Sequence, residues 1–224
     1  MIILKRQTVS FNQTEVLTNS IPERTERKKV GILGGTFNPP HIGHLIIADQ
    51  VGQQLGLDKV CFMPSANPPH QDKKTAIEAA HRMKMVEAAI QNNPFFDIEK
   101  SEVERGGKSY TYDTMLQLTR ANPDTDYYFI IGGDMVEYLP KWYKIEELLQ
   151  LVQFVGVNRP GYTLTTTYPI IWVDVPSVNI SSTLVRKKLE TKCSVRYLIP
   201  DETLAYISEK GLYQNDDKTR RTDL

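Results

Sequence analysis

The sequence predicts an α/β fold built on a doubly wound, mostly parallel sheet with helices on both faces. Three observations carry this. Short apolar runs alternate with helix-patterned stretches along most of the chain. Two of those runs end in glycine pairs, Gly34-Gly35 and Gly132-Gly133, which let a strand turn sharply into the next segment. And 224 residues that are 40% hydrophobic can bury a sizeable core.

The elements run in this order. Residues 30–33 read as a strand ending in Gly34-Gly35. Residues 43–55 carry Leu45, Ile46, Ala48, Val51 and Leu55 at helical spacing. A second strand is expected over 59–63, closed by Pro64, and a helix over 76–91 with Met83, Val86, Ala89 and Ile90 as its apolar stripe. Then come a strand at 95–98, a helix at 112–120, and a strongly apolar strand at 127–131 running into Gly132-Gly133. A short helix at 145–151, strands at 152–157 and 170–175, and closing helices at 182–189 and 202–210 complete the pattern. This is Rossmann-like, with a small C-terminal helical segment. Right-handed crossovers would put ligands at the carboxyl ends of the strands. One domain is expected over 29–213. Residues 1–28 read as a flexible or partly docked extension, because Val9, Phe11, Val16 and Leu17 give no sustained period. Residues 214–224 read as a polar tail.

Lys+Arg and Asp+Glu are 27 each, a formal net charge of zero. That argues against binding bulk nucleic acid, where a basic excess supplies most of the affinity. It leaves room for a small anionic ligand. Cys61 and Cys193 form no CxxC pair and no disulfide framework, and are expected to be two buried, reduced thiols of a cytoplasmic protein. No apolar run approaches the ~18–20 residues that span a bilayer, and 1–4 is too short for a signal-peptide core. No membrane partner is expected, and a homo-oligomer is left open.

The stretch richest in chemistry is Gly34-Gly35-Thr36-Phe37-Asn38-Pro39-Pro40-His41-Ile42-Gly43-His44. It joins a strand to a helix. Its glycines let backbone approach a ligand, and the helix start offers N–H groups and the positive end of a dipole, together an anion site suited to phosphate. It is neither GxGxxG nor a P-loop. His41 and His44, three apart, share a helix face and can donate to phosphoryl oxygens. Gly43 between them leaves room for a nucleotide. The same HxxH fits an ordinary helix cap or half a metal site, although no cysteine or carboxylate cluster at metal spacing joins it. Near the C-terminus, Ile180-Ser181-Ser182-Thr183-Leu184-Val185-Arg186 starts another helix. Ser181 or Ser182 caps it, and Arg186 falls on the face of Ser182 and Thr183, which suits a second phosphate. Alone, this is equally an ordinary capped helix with a surface arginine.

Together, the two motifs resemble the paired signatures of the nucleotidylyltransferase superfamily, (H/T)xGH after the first strand and ISSTxxR before a late helix. Within it, about 29–213 is similar to bacterial nicotinate mononucleotide adenylyltransferases. Further segments that carry the resemblance are FMPSANPPH (62–70), SYTYDT (109–114), FIIGGDM (129–135), LPKWYK (139–144), FVGVNRPG (154–161) and YISEKGLY (206–213).

The resemblance implies transfer of AMP from ATP to nicotinate mononucleotide, giving nicotinate adenine dinucleotide and pyrophosphate for NAD biosynthesis. It implies His44 at the α-phosphate, His41 on ATP phosphates beside it, and Arg186 with Ser182 and Thr183 on the β- and γ-phosphates. Backbone of Gly34, Gly35, Thr36, Phe37, Ile180 and Ser181 would line the adenosine. For the acceptor it implies Thr111 and Tyr112 amides at the nicotinate carboxylate, Trp142 on the pyridine ring, Asp134 at a ribose hydroxyl, and Asn38 where the family usually has Asp. Lys74, or Lys73, would reach the mononucleotide phosphate. Mg²⁺ would come with ATP, held by phosphate oxygens and water, with no protein metal site. Related chemistries share these motifs: an adenylyltransferase for nicotinamide mononucleotide or phosphopantetheine, a cytidylyltransferase, or a non-catalytic nucleotide sensor. A class I aminoacyl-tRNA synthetase would need a KMSKS-type loop and tRNA-binding domains that this chain lacks.

Overall fold

The computed structural model describes residues 8–11, 14–17, 27–67, 76–158 and 166–214. Strands β3 (Lys28–Gly35), β4 (Lys59–Pro64), β5 (Phe96–Ile98), β6 (Thr125–Gly132), β7 (Gln153–Asn158) and β8 (Ile170–Asp174) form one sheet in the order β5-β4-β3-β6-β7-β8. Every pairing in it is parallel. Counted from β3, the spatial order is 3-2-1-4-5-6, so the order of strand addition reverses between β3 and β6. Ligands in open α/β sheets bind at that switch, at the carboxyl ends of the strands. Both glycine pairs lie there. The helices are α1 (Ile42–Leu55), α2 (Ala79–Ile90), α3 (Ser101–Arg105), α4 (Thr111–Ala121), α5 (Gly133–Val136), α6 (Ile145–Leu148), α7 (Ser182–Glu190) and α8 (Asp201–Lys210).

Side-chain alternation along the strands explains the layers. Ile32, Cys61, Met63, Tyr127, Phe129, Ile131 and Phe154 face one side, where they meet Met115 of α4 and Ile145 and Leu148 of α6. Leu33, Val60, Phe62, Ile130, Val155 and Val157 face the other, against Ala48 and Val51 of α1 and Val86 and Ile90 of α2. A third, smaller core joins Met85 of α2 to Val185, Val195, Ile199 and Ile207. This is the C-terminal helical layer, with the Thr203 hydroxyl of α8 donating to the Met85 carbonyl at 3.2 Å. Among the described residues no helix is long and apolar enough to cross a membrane.

Two glycines are required by their surroundings. Gly56 ends α1 in the left-handed region at φ 57°, its N–H donating to the Gln53 carbonyl. Gly52 sits where α1 presses on the loop before β5, and a Cβ there would come 2.4 Å from the Phe95 ring. Gly52→Ala is therefore expected to destabilise the fold by about 1–3 kcal/mol through overpacking, read as a lower midpoint in chemical denaturation.

Several sequence expectations change. Helix α2 starts at Ala79 rather than at 76, and its buried residues are Arg82, Met85, Val86 and Ile90. Met83 and Ala89, expected on the apolar stripe, are only half-buried. The face turns because an arginine, not a methionine, occupies the inward position. The short α3 and α5 and a 3-10 turn at Leu139–Lys141 were not expected. In the N-terminal extension, β1 (Thr8–Phe11) and β2 (Thr14–Leu17) pair antiparallel with Val9 opposite Val16.

Candidate active site

The loop after β3 is built by packing beneath it. Phe37 takes a positive φ of 48°, which is costly for a side chain with a Cβ. The turn sends its ring down into the core, where it is 2% exposed, tilted on Phe62 at 5.7 Å. The ring lies under Gly35, where a Cβ would be 2.9 Å from it. So glycine at 35 makes space for Phe37, and the Gly34–Phe37 backbone is held facing the switch point. The Asn38-Pro39 peptide is cis.

His41 caps α1 and is buried. Its ring stacks on that of His44, with centroids 3.6 Å apart. The His41 backbone N–H donates to His44 Nδ1 at 3.1 Å. An accepting Nδ1 requires the tautomer with hydrogen on Nε2, so His44 offers a donor on the far side of its ring. That ring is further fixed edge-on to Phe37 at 5.0 Å. A Cβ on Gly43 would sit 3.0 Å from His41 Nδ1, so this glycine admits the histidine ring, a reason not evident from sequence. Two early amides of α1 are engaged within the protein: Ile42 N–H on the Leu198 carbonyl and His44 N–H on that of His41, both 2.9 Å.

The late motif meets the early one. The Ser181 hydroxyl caps α7 by accepting from Leu184 N–H at 3.2 Å. The Ser182 hydroxyl donates to the Pro39 carbonyl at 2.8 Å. Arg186 donates through Nη1 to the Asn38 carbonyl at 2.8 Å and through Nη2 to the Thr183 hydroxyl at 3.3 Å. The two helix N-termini, separated by about 140 residues of sequence, are thus clipped side by side, with Ile180 packed into the small core. Arg186 keeps the rest of its five N–H groups for other acceptors.

The residues expected at the acceptor lie at the start of α4, in α5, after the 3-10 turn and in the loop after β3. Thr111 and Tyr112 are the first two residues of α4, both half-buried. Asp113 puts an exposed carboxylate in the same turn, and Lys144 places Nζ 4.6 Å from the Tyr112 ring centroid and 5.4 Å from that of Tyr143. Trp142 is half-buried, edge-on to Phe129 and Phe154 at 5.9 Å each. Its Nε1 is buried and has no hydrogen-bond partner among the described residues. Asp134 lies in α5, at the carboxyl end of β6. Asn38 is buried, and its Oδ1 accepts from the Tyr213 hydroxyl at 2.6 Å. Lys73 and Lys74 lie outside the described residues.

Sequence reasoning missed Tyr213 and Arg82. Burial raises the Tyr213 hydroxyl pKa, against Arg186 and Arg82 nearby, which lower it. It stays a neutral donor to Asn38. Burial likewise lowers the Arg82 pKa from its ordinary value, with Tyr213 opposing. Cys61 is buried as expected and is no nucleophile, since burial pushes its thiol up to about 12, whereas Cys193, expected to be buried, is exposed.

Comparisons with known proteins identify the family. Residues 32–188 match the family described as Cytidylyltransferase-like. A protein of Enterococcus faecalis named "Probable nicotinate-nucleotide adenylyltransferase" is 61% identical over 203 residues, 90% of this chain and 93% of its own. A Lactiplantibacillus plantarum protein of the same name is 57% identical over 211 residues, 94% of this chain and 100% of its own. The solved Plasmodium falciparum nicotinic acid mononucleotide adenylyltransferase complexed with NaAD superposes with a TM-score of 0.70 at 21% identity, covering 83% of this chain and 97% of that one. At that identity the likeness speaks for the fold. Sequence and fold together place the chain in the nicotinate-nucleotide adenylyltransferase family, within the cytidylyltransferase-like proteins.

Proposed function

We propose that the chain transfers AMP from ATP to nicotinate mononucleotide, giving nicotinate adenine dinucleotide and pyrophosphate, a step of NAD biosynthesis. The observation that carries this is the clipping of α1 and α7 at the switch point through Ser182–Pro39 and Arg186–Asn38. It makes one phosphate-binding wall out of two helix starts.

An oxygen of the acceptor's 5′-phosphate attacks the ATP α-phosphorus. The bond from that phosphorus to the bridging oxygen breaks, and pyrophosphate leaves with the electron pair. The nucleophile is already anionic, so no serine or cysteine is needed. The protein supplies alignment of two polyanions and donors where charge builds. His44 donates from Nε2 to an α-phosphate oxygen. His41 lies beside it on ATP phosphates. Arg186, Ser182 and Thr183 receive the β- and γ-phosphates, while Gly34, Gly35, Thr36, Phe37, Gly43, Ile180 and Ser181 border the nucleotide with backbone.

On the acceptor side, the first amides of α4 at Thr111 and Tyr112 receive the nicotinate carboxylate, and Lys144 offsets the Asp113 charge there. Trp142 stacks on the pyridine ring, Asp134 meets a ribose hydroxyl, and Asn38 shapes the floor between the substrates. Lys74 is the candidate for the mononucleotide phosphate. Mg²⁺ is the proposed metal. Such a cation would enter with ATP and would neutralise phosphate charge. The partners are these two small molecules, and the cytoplasm is where both are available.

Initial rates with nicotinate and nicotinamide mononucleotides at equal concentration test the reading. The acid should be preferred at least tenfold, the size of a charge-assisted contact of about 1.5–3 kcal/mol. Preference for the amide would remove Thr111 and Tyr112 from the carboxylate site.

A further inference from the structure

Arg82 is 1% exposed, a guanidinium buried beneath the loop after β3. Its three nitrogens each donate to the carbonyl of a different segment. Nε binds Ile77 at 3.1 Å, just ahead of α2. Nη1 binds Thr36 at 2.8 Å, in the phosphate loop after β3. Nη2 binds Ala66 at 3.0 Å, in the loop after β4. Among the described residues no carboxylate pairs with it. A buried charge without a counter-ion is costly, and apolar side chains of similar volume commonly replace buried ions at no loss of stability. Only arginine offers a rigid fork that holds several acceptors at fixed angles.

Ala66 is held from its other side too. Its N–H donates to the Ser109 hydroxyl at 2.8 Å, which the Asn67 N–H also approaches at 3.4 Å. Ser109 N–H returns to the Asn67 carbonyl at 3.1 Å, and Ser109 is buried. Glu102 nearby is 3% exposed and accepts from the Thr114 hydroxyl of α4 at 3.3 Å. Ser109 stands two residues before α4. A continuous run of bonds therefore leads from Thr36 through Arg82, Ala66 and Ser109 to the start of α4. One end is the loop assigned to ATP, and the other is the helix start assigned to the acceptor's carboxylate.

We propose that Arg82 is a positioning residue that couples the two substrate sites through Ala66, held at its carbonyl by Arg82 and at its N–H by Ser109, so that filling one site orders the other. The proposal rests on the assignment of substrates given above. Coupling between sites typically changes affinity about 5–150-fold. A purely structural Arg82 would set stability and leave each substrate's affinity independent of the other.

The test is two-substrate steady-state kinetics on the full chain, with melting temperature measured alongside. In the wild type, saturating ATP should lower the KM for nicotinate mononucleotide about fivefold or more. Arg82→Lys keeps the charge but cannot span three carbonyls. It should raise both KM values and abolish that dependence. Ser109→Ala should raise the acceptor KM, leave the ATP KM at limiting acceptor unchanged and weaken the dependence. Because both hold the same residue, Ala66, Arg82→Lys/Ser109→Ala should give an acceptor KM no higher than Arg82→Lys alone. An Arg82→Lys enzyme with a lower melting temperature but wild-type KM values and intact dependence overturns the proposal, as do additive effects in the double variant. If Arg82→Lys fails to fold, Ser109→Ala decides: weakened dependence supports coupling through Ala66, and full dependence overturns it. A wild type that releases no pyrophosphate with this acceptor refutes the substrate assignment instead, which keeps the two failures distinct.

Discussion

Replacing His44 by alanine is expected to lower kcat about 10²–10³-fold with the fold preserved. One donor aimed at developing charge typically contributes that much, about 2.7–4 kcal/mol of transition-state stabilisation. The donor here is Nε2, left with its hydrogen because Nδ1 accepts the His41 N–H. Substrate affinity should change less than kcat, since the contact strengthens as charge builds on the α-phosphate. Folding should survive because His44 is only half-buried and the helix keeps its His41 cap. Loss of one backbone-to-ring bond costs about 1 kcal/mol. Steady-state rates with a circular dichroism melt measure both quantities. A near-normal kcat would take His44 out of the chemistry.

The second large effect lies in the core under the acceptor side. Phe154→Ala should destabilise the protein by about 3–5 kcal/mol. Phe154 is 0% exposed and lies edge-on to both Phe129, at 5.8 Å, and Trp142, at 5.9 Å. Its removal leaves a cavity whose lining cannot collapse, because Phe129 and Phe154 stand on paired strands in register. For a domain of this size the melting temperature should fall by roughly 2–4 °C per kcal/mol. Trp142 loses one of its two aromatic supports, so the acceptor KM should rise as well. Chemical denaturation and acceptor titration at low temperature separate the two effects. A stability change under about 1 kcal/mol, below the range for a buried phenylalanine, would show that the Phe129–Phe154–Trp142 cluster is looser than its ring distances imply.

The layers and the two motifs at the starts of α1 and α7 were legible in the sequence because their signals are local. Gly34-Gly35 after an apolar run, His41 and His44 at helical spacing, and Ser181 ahead of a helix each announce themselves within a few residues. Parallel pairing of the strands then goes with strand–helix alternation. The hidden parts depend on partners distant in sequence. Arg82 reads as a surface arginine until Thr36 and Ala66 are seen around it, although its spacing from Met85 and Val86 was a usable hint that it shares their face. Tyr213 has no local signal at all, since its partner Asn38 is 175 residues away. The resemblance implies Trp142 on the pyridine ring, and the structure adds that two phenylalanines already hold its edges. The β1–β2 hairpin escaped notice because each strand has four residues, too short to establish a period.

The central claim is adenylyl transfer to the phosphate of nicotinate mononucleotide on the wall formed by α1 and α7. It is tested most directly by following ATP labelled at the α-phosphate together with pyrophosphate release. Label should appear in nicotinate adenine dinucleotide in equal amount to the pyrophosphate released, and only when the acceptor is present. Pyrophosphate released without transfer of label, or label retained in ATP with the acceptor saturating, would contradict it.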